Sequence, residues 1–156
     1  KAVRALTPTF EPIKDPDAPA VAPAMAATVE RGHYLANYVA NCVGCHTQRD
    51  LMTYQATAPE FAGGMEFEPW PELYTFLKSD PEVWLRTPNI SAISNYKTAE
   101  EFVARFRKGR LVVFSPMDWG PFSRMSDEDI TAIWMYLNSL DPVKHDVGEL
   151  VFKKEK

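Results

Sequence analysis

The pentapeptide Cys42-Val43-Gly44-Cys45-His46 contains both cysteines of the chain and one of its three histidines. A C-x-x-C-H pattern is typical of covalent haem attachment, in which two thiols form thioethers with the macrocycle and the adjacent imidazole binds the iron. The turn between the cysteines directs both sulfurs to the macrocycle edge, and the next residue brings the imidazole beneath the iron. The motif therefore predicts one covalently attached haem c, held by Cys42 and Cys45, with His46 as the proximal iron ligand.

Three other uses of a C-x-x-C pair fit this chain less well. A thioredoxin-like redox pair expects a strand before the motif and a βαβ context, whereas a helical pattern precedes Cys42 here. A structural zinc site needs four protein ligands, and the chain has two cysteines and three histidines with no H-x3-5-H pair. A disulfide across so short a loop adds little stability and leaves His46 unexplained.

Helical periodicity and capping residues predict three helices around the motif, over 28–42, 98–109 and 126–141. Each begins at a hydroxyl residue that is a good N-cap: Thr28, Thr98 and Ser126. The first helix leads the chain to the cysteines. Between the first and second helices lies a long stretch, 47–97, that is rich in Pro, Gly and aromatic residues, with short helical turns expected around 72–77 and 81–85.

The chain divides into three parts by composition. Residues 1–27 are rich in Pro and Ala and predict an extended arm or linker. Residues 28–143 contain the haem motif and the three helices and predict the folded domain. Residues 144–156 form a charged C-terminal tail.

Size and charge limit the classes of protein that this chain can belong to. Its 156 residues, 46% of them hydrophobic, suit one globular domain. The longest apolar runs are only a few residues, so no membrane span is expected. A formal net charge of −4 and an acidic isoelectric point near 5.4 argue against a nucleic-acid partner.

Several segments together resemble a class I c-type cytochrome over about 28–143: the helix before Cys42, the motif itself, the Pro116-Met117 segment and the closing helix from Ser126. Four short motifs resemble, more narrowly, the cytochrome modules found beside bacterial dehydrogenases: Arg31-Gly32-x-Tyr34-Leu35, Ala62-Gly63-Gly64, Pro88-Asn89-Ile90-Ser91 and Glu101-Phe102. The resemblance implies an all-α fold in which crossed N- and C-terminal helices and a long middle loop surround one haem.

The same resemblance implies that Met117 is the second axial ligand, because the family places its distal methionine in a loop just before the final helix. This chain departs from many relatives in following Met117 with Asp118 rather than proline. Met65 is the reserve candidate, while His33 and His145 are the histidines that a bis-His site would use. A methionine that only fills a gap beside aromatic side chains is the structural alternative for Met117.

The resemblance implies an electron carrier rather than an enzyme, which shuttles one electron between redox proteins such as a dehydrogenase, an oxidase or another cytochrome. Two alternatives stay open. One is a small-ligand-binding or sensing haem protein with an open sixth iron position, and the other is a fixed electron-transfer subunit of a dehydrogenase or oxidase complex. A periplasmic or other extracytoplasmic location is implied as well, with an upstream membrane anchor as one arrangement. Asn89 and Arg86 are further candidates for contacts to the haem propionates.

Overall fold

A computed structural model of the chain describes residues 18–68, 83–93 and 95–154. Its helices in these ranges are α1 (Val29–Tyr34), α2 (Cys42–Cys45), α3 (Ala99–Arg107), α4 (Trp119–Phe122) and α5 (Asp127–Ser139), and a π-helical turn (Leu35–Val39) continues α1. The same ranges contain one antiparallel sheet of three strands, in the order β1 (Glu66–Phe67), β2 (Val83–Arg86) and β3 (Val151–Lys153). Most of the arm, 1–17, and the turn expected at 72–77 lie outside the described residues.

The three predicted N-caps are confirmed. In each case the hydroxyl oxygen accepts a hydrogen bond from the amide three residues later, which satisfies one of the free donors at a helix start. The pairs are Thr28 with Arg31 at 3.2 Å, Thr98 with Glu101 at 3.3 Å and Ser126 with Asp129 at 3.1 Å. Local sequence therefore sets where α1, α3 and α5 begin.

The helix predicted over 28–42 is interrupted before it reaches the cysteines. The amide of Ala40 donates to the carbonyl oxygen of Leu35 at 2.7 Å, which is the wider spacing of a π-helix. Asn41 then adopts a left-handed conformation with φ of 50°, which asparagine tolerates better than most residues. The break starts α2 as a separate turn, so the cysteines do not continue the axis of α1.

Helices α1 and α5 pack directly against each other and form the centre of the fold. Gly32 lies against the backbone of Ala132, and the side chains of Arg31 and Asp129 join the two helices through an ion pair with a 2.9 Å contact. Helix α3 also packs on α5. The buried core that results contains Leu35, Ala36, Phe61, Ile93, Phe102, Phe106, Ile130, Ile133 and Leu137.

The small sheet is a departure from the all-α architecture that was expected. The turn predicted at 81–85 is a strand over Val83–Arg86 instead, in which Trp84 pairs with Phe152 and Leu85 with Val151. Val and Trp have high strand propensity, and the partner strand comes from the C-terminal tail, which lies far away in sequence. The tail up to 154 is thus packed against the domain. None of the helices in the described part of the chain is long and apolar enough to cross a membrane.

Candidate haem site

The two cysteines and His46 lie on one short turn. The amide of His46 donates to the carbonyl oxygen of Cys42 at 2.8 Å, which closes the turn around both cysteines. Cys42 is half-buried and contacts the edge of the core, whereas Cys45 is exposed. The turn therefore presents one thiol at the core boundary and the other at the surface.

The thiols are free and are held in their protonated form. Both cysteines are unbridged. Burial raises the pKa of Cys42 to about 11 and raises the pKa of Cys45 as well. A redox-active C-x-x-C pair works through a cysteine of lowered pKa, so these directions do not suit thiol–disulfide chemistry. Two unbridged thiols on one turn do suit thioether formation.

The orientation of His46 is fixed by a backbone carbonyl. Its Nδ1 lies 2.9 Å from the carbonyl oxygen of Pro88. A carbonyl only accepts hydrogen bonds, so Nδ1 must carry the proton, and Nε2 is left with its lone pair. Burial lowers the pKa of His46, and the hydrogen bond to Pro88 opposes that shift. A neutral imidazole with one nitrogen bound to a carbonyl and a lone pair on the other is the usual form of a metal-ligating histidine.

Three chain segments meet closely behind His46. The amide of Gly63 donates to the carbonyl oxygen of His46 at 2.8 Å, and the buried Thr47 hydroxyl accepts from the amide of Phe61 at 3.2 Å. Gly63 has a φ of 74°, and a Cβ at this position would lie 2.5 Å from the carbonyl carbon of Pro88. Only glycine fits this approach without displacing Pro88. The glycine motif at 62–64 thus supports the residue that orients His46.

The two propionate candidates are engaged by the protein itself. The Asn89 side chain donates to the carbonyl oxygen of Val143 at 2.8 Å and accepts from the Ser91 hydroxyl at 2.7 Å. The Arg86 guanidinium donates to Glu66 and to the carbonyl oxygen of Val147, both at 2.7 Å. Both side chains therefore hold the C-terminal segment on the domain.

Met117 lies in the loop between α3 and α4. Its side chain is half-buried and packs against the same core cluster as Cys42. This loop comes from a different part of the chain than the turn at 42–46, so the two potential ligand segments reach the core independently. A thioether at the border of an apolar core is in the surroundings that an axial methionine needs.

Met25 and Met52 differ from Met117 in being exposed, whereas Met125 and the reserve candidate Met65 are half-buried like Met117. Met52 is 92% exposed and Met25 is 73% exposed. Met125 packs beside the core just before Ser126, in the position of a hydrophobic staple. His33 makes edge-on contacts with the rings of Tyr38 and Tyr136, and Nδ1 of His145 lies 2.9 Å from the carbonyl oxygen of Ala62.

The donor set fits a haem better than a metal ion held by protein alone. Among the residues that the structure describes, no group of three or more His, Cys, Asp or Glu side chains could hold a metal ion. The free thiols, the oriented imidazole and the half-buried thioether are the groups that a c-type haem requires. Sequence reasoning missed the carbonyl of Pro88. The segment 88–91 is a recognisable motif in the sequence, but a backbone contact leaves no side-chain signal.

Comparison with known proteins places these observations in a family. The cytochrome c family profile matches residues 29–141. The "Alcohol dehydrogenase (quinone), cytochrome c subunit" of Gluconobacter oxydans (strain 621H) is 32% identical over 124 residues. That match covers 75% of this chain and 22% of the relative, so the chain spans about a fifth of the relative's length. No solved structure matches the chain significantly. Because the family profile covers well over half of its residues, the chain belongs to the cytochrome c family.

Proposed function

We propose that this chain carries a single c-type haem and transfers one electron at a time between extracytoplasmic redox proteins. Haem-based electron transfer follows from membership of the cytochrome c family. The number of haems rests on the single C-x-x-C-H motif at 42–46. The extracytoplasmic location rests on the family habit of attaching haem outside the cytoplasm.

The observation that carries the proposal is the hydrogen bond from Nδ1 of His46 to Pro88 beside two unbridged thiols. It leaves the Nε2 lone pair of a neutral imidazole available, directly after the second cysteine. We assign Cys42 and Cys45 as the thioether residues and His46 as the proximal iron ligand. Attachment and ligation would then both depend on one turn.

We assign Met117 as the distal ligand because the family resemblance places the distal methionine in the loop before the final helix, and the half-buried side chain at the core border is compatible with that role. When bound, the haem supplies the redox couple, since its iron stores one electron between the ferric and ferrous states. A neutral thioether and apolar surroundings favour the less charged ferrous form, so a positive reduction potential is expected. A filled sixth position leaves no open site for chemistry, which suits a carrier rather than an enzyme.

We propose that 28–143 is the cytochrome unit, preceded by an arm or linker over 1–27 and followed by a tail over 144–156. The family match over 29–141 and the N-cap at Thr28 support the first boundary. The tail extends past the family match, and its strand β3 pairs with β2. The tail therefore packs against the cytochrome unit through this strand pairing.

A fixed position in an enzyme complex is the second candidate function. The relative from Gluconobacter oxydans is named as the cytochrome c subunit of an alcohol dehydrogenase. By that likeness, we propose a dehydrogenase as the electron donor of this chain. A stoichiometric dehydrogenase that remains bound through purification at high salt would favour the fixed subunit over a diffusing carrier.

The cofactor assignment is tested on protein produced in a host that attaches c-type haem. Haem and protein content are measured together, and denaturing electrophoresis with haem staining reports covalent attachment. One haem per chain is expected, retained under denaturing conditions in wild type and lost in the Cys42→Ser, Cys45→Ser double variant. A haem that leaves the wild-type chain on denaturation would overturn covalent attachment.

The ligand assignment is tested by comparing Met117→Ala with Met52→Ala, a control at a methionine that is 92% exposed. Optical spectra of the ferric protein and carbon monoxide binding to the ferrous protein are recorded for each. Wild type and Met52→Ala should resist carbon monoxide, and Met117→Ala should bind it. Ready binding by wild type would reject Met117 as ligand and favour a ligand-sensing protein.

A further inference from the structure

The backbone turns sharply immediately after Met117. Asp118 has φ of −79° and ψ of 65°, and the amide of Trp119 donates to the carbonyl oxygen of Met117 at 2.8 Å. These angles and this two-residue hydrogen bond define an inverse γ-turn centred on Asp118. The turn ends the loop that carries Met117 and starts α4.

The indole of Trp119 anchors this turn to α3. Trp119 is 9% exposed, and its ring packs edge-on against Phe106 with centroids 5.9 Å apart. The guanidinium carbon of Arg105 lies 3.9 Å from the centroid of the same ring. A cation this close to an indole face is attracted by the ring quadrupole. Two consecutive residues of α3 thus hold the indole from two sides.

The same indole closes a short loop around Met117. Its Nε1 donates to the hydroxyl oxygen of Ser115 at 3.1 Å. Ser115 is two residues before Met117 and Trp119 is two residues after it, so the bond spans the methionine. The Arg110 guanidinium donates to the carbonyl oxygen of Ser115 and holds the other side of this loop. Met117 is therefore the central residue of a five-residue loop that is closed by side chains.

We propose that Arg105, Trp119 and Ser115 are positioning residues that keep the Met117 thioether in its ligating place. This inference rests on the proposed role of Met117 as distal ligand. A distal ligand is displaced whenever its loop opens, so contacts that favour the closed loop raise the fraction of iron that is methionine-bound. These three residues, here called the indole clamp, keep the Met117 loop closed in a chain that lacks the proline found after the methionine in many relatives.

Imidazole binding to the ferric haem protein measures how strongly the clamp favours Met117 ligation, because imidazole competes with Met117 for the iron. If the loop closes less favourably, the apparent imidazole affinity rises by the same factor. Ser115→Ala and Arg105→Gln should each bind imidazole about 5-fold more tightly, the effect expected from one lost hydrogen bond or cation–π contact. Arg105→Lys, which keeps the positive charge, should fall between wild type and Arg105→Gln.

The matched control is Arg107→Gln on the same helix. Arg107 donates to the carbonyl oxygens of Ser123 and Met125 and so holds the segment between α4 and α5, which follows the Met117 loop. The Arg107→Gln variant should have a lower free energy of unfolding than wild type and the same imidazole affinity. An equal rise in affinity in this control would mean that general loosening, and not positioning, is being measured, and would overturn the inference.

A Met117→Ala background separates the two proposals. There the clamp holds no ligand, so adding Arg105→Gln should leave imidazole affinity unchanged. If Met117→Ala itself binds imidazole no more tightly than wild type, the ligand assignment fails and the clamp fails with it. If Met117→Ala binds more tightly but Ser115→Ala and Arg105→Gln bind like wild type, the ligand assignment stands and the clamp alone is overturned.

Discussion

Gly32 in α1 lies directly against the carbonyl oxygen of Ala132 in α5, and a side chain of any size at position 32 would overlap that oxygen. This is a point of very close approach between the two helices at the centre of the fold. The neighbouring Arg31–Asp129 ion pair, with side chains 11% and 14% exposed, joins the helices at the same place. The glycine therefore sets the spacing of the helix pair on which the core is built.

Gly32→Ala should destabilise the protein by about 2 kcal/mol or more, because the added methyl group forces the helices apart. The measurement is urea unfolding of the haem protein followed by circular dichroism. Gly120→Ala in α4 is the matched control, since a Cβ there would meet only the tip of Arg124 at 4.0 Å. The free energy of unfolding of Gly120→Ala should lie within about 1 kcal/mol of the wild-type value. Equal stability of the two variants would contradict the close approach.

Gly63→Ala should raise the reduction potential. A Cβ at 63 would lie 2.5 Å from the carbonyl carbon of Pro88 and push that carbonyl away from His46. A weaker hydrogen bond to Nδ1 makes the imidazole a poorer electron donor, which favours ferrous iron. Losing about 1 kcal/mol of this hydrogen-bond energy would raise the potential by roughly 40 mV for one electron. An optical redox titration measures this shift.

Gly109→Ala is the control for the potential measurement. Gly109 has a φ of 63°, so alanine suffers the same left-handed strain, but nothing lies within 4 Å of its added methyl group. It should lose about 1–2 kcal/mol of stability with no change in potential. A potential that shifts equally in both variants would falsify the explanation through Pro88.

Asp118→Pro should change the free energy of unfolding by no more than about 1 kcal/mol. The φ of −79° at this residue lies in the range of proline, and none of the hydrogen bonds identified in the described ranges uses its amide. Ser123→Pro is the contrasting variant: its φ of −66° also suits proline, but its amide donates to the carbonyl oxygen of Trp119 at 2.9 Å. It should cost about 3 kcal/mol. Urea unfolding compares the two, and similar losses would argue against the turn at Asp118.

Acid should weaken the sheet through Glu66. The hydrogen bond from Arg86 holds the pKa of Glu66 below its ordinary value of 4.5, with a smaller contribution from Lys154. Because the folded-state pKa is the lower one, the stabilisation is complete above pH 4.5 and is lost as the pH falls through the folded-state pKa. The carboxylate is 33% exposed, so the gain is at most about 1 kcal/mol.

The measurement for Glu66 is the free energy of unfolding of wild type and Glu66→Gln between neutral and acid pH. Wild type should be the more stable above pH 4.5, and the difference should shrink towards zero in acid. When Arg86→Gln is already present, Glu66→Gln should change the pH dependence of the free energy of unfolding much less. A wild-type advantage that grows as the pH falls would contradict the direction of the pKa shift.

Local signals in the sequence predicted the helix starts and the haem motif. Thr28, Thr98 and Ser126 cap their helices through contacts three residues away, so their role is visible in a short window of sequence. The C-x-x-C-H motif is equally local, because its chemistry needs two thiols and an imidazole on a single turn. Gly32 belongs to a motif that the sequence shows, but its contact lies on another helix.

The sequence by itself determined the family and the start of each capped helix, and it predicted the residues that would attach and ligate a haem. Only the tertiary structure decided which carbonyl orients His46, how the tail completes a sheet and which side chains enclose Met117. Pro88 is 42 residues from His46, and β3 is far from β2 in the chain. Such contacts form because the packed core brings distant segments together, and a backbone carbonyl or an edge strand has no side-chain pattern that announces its partner.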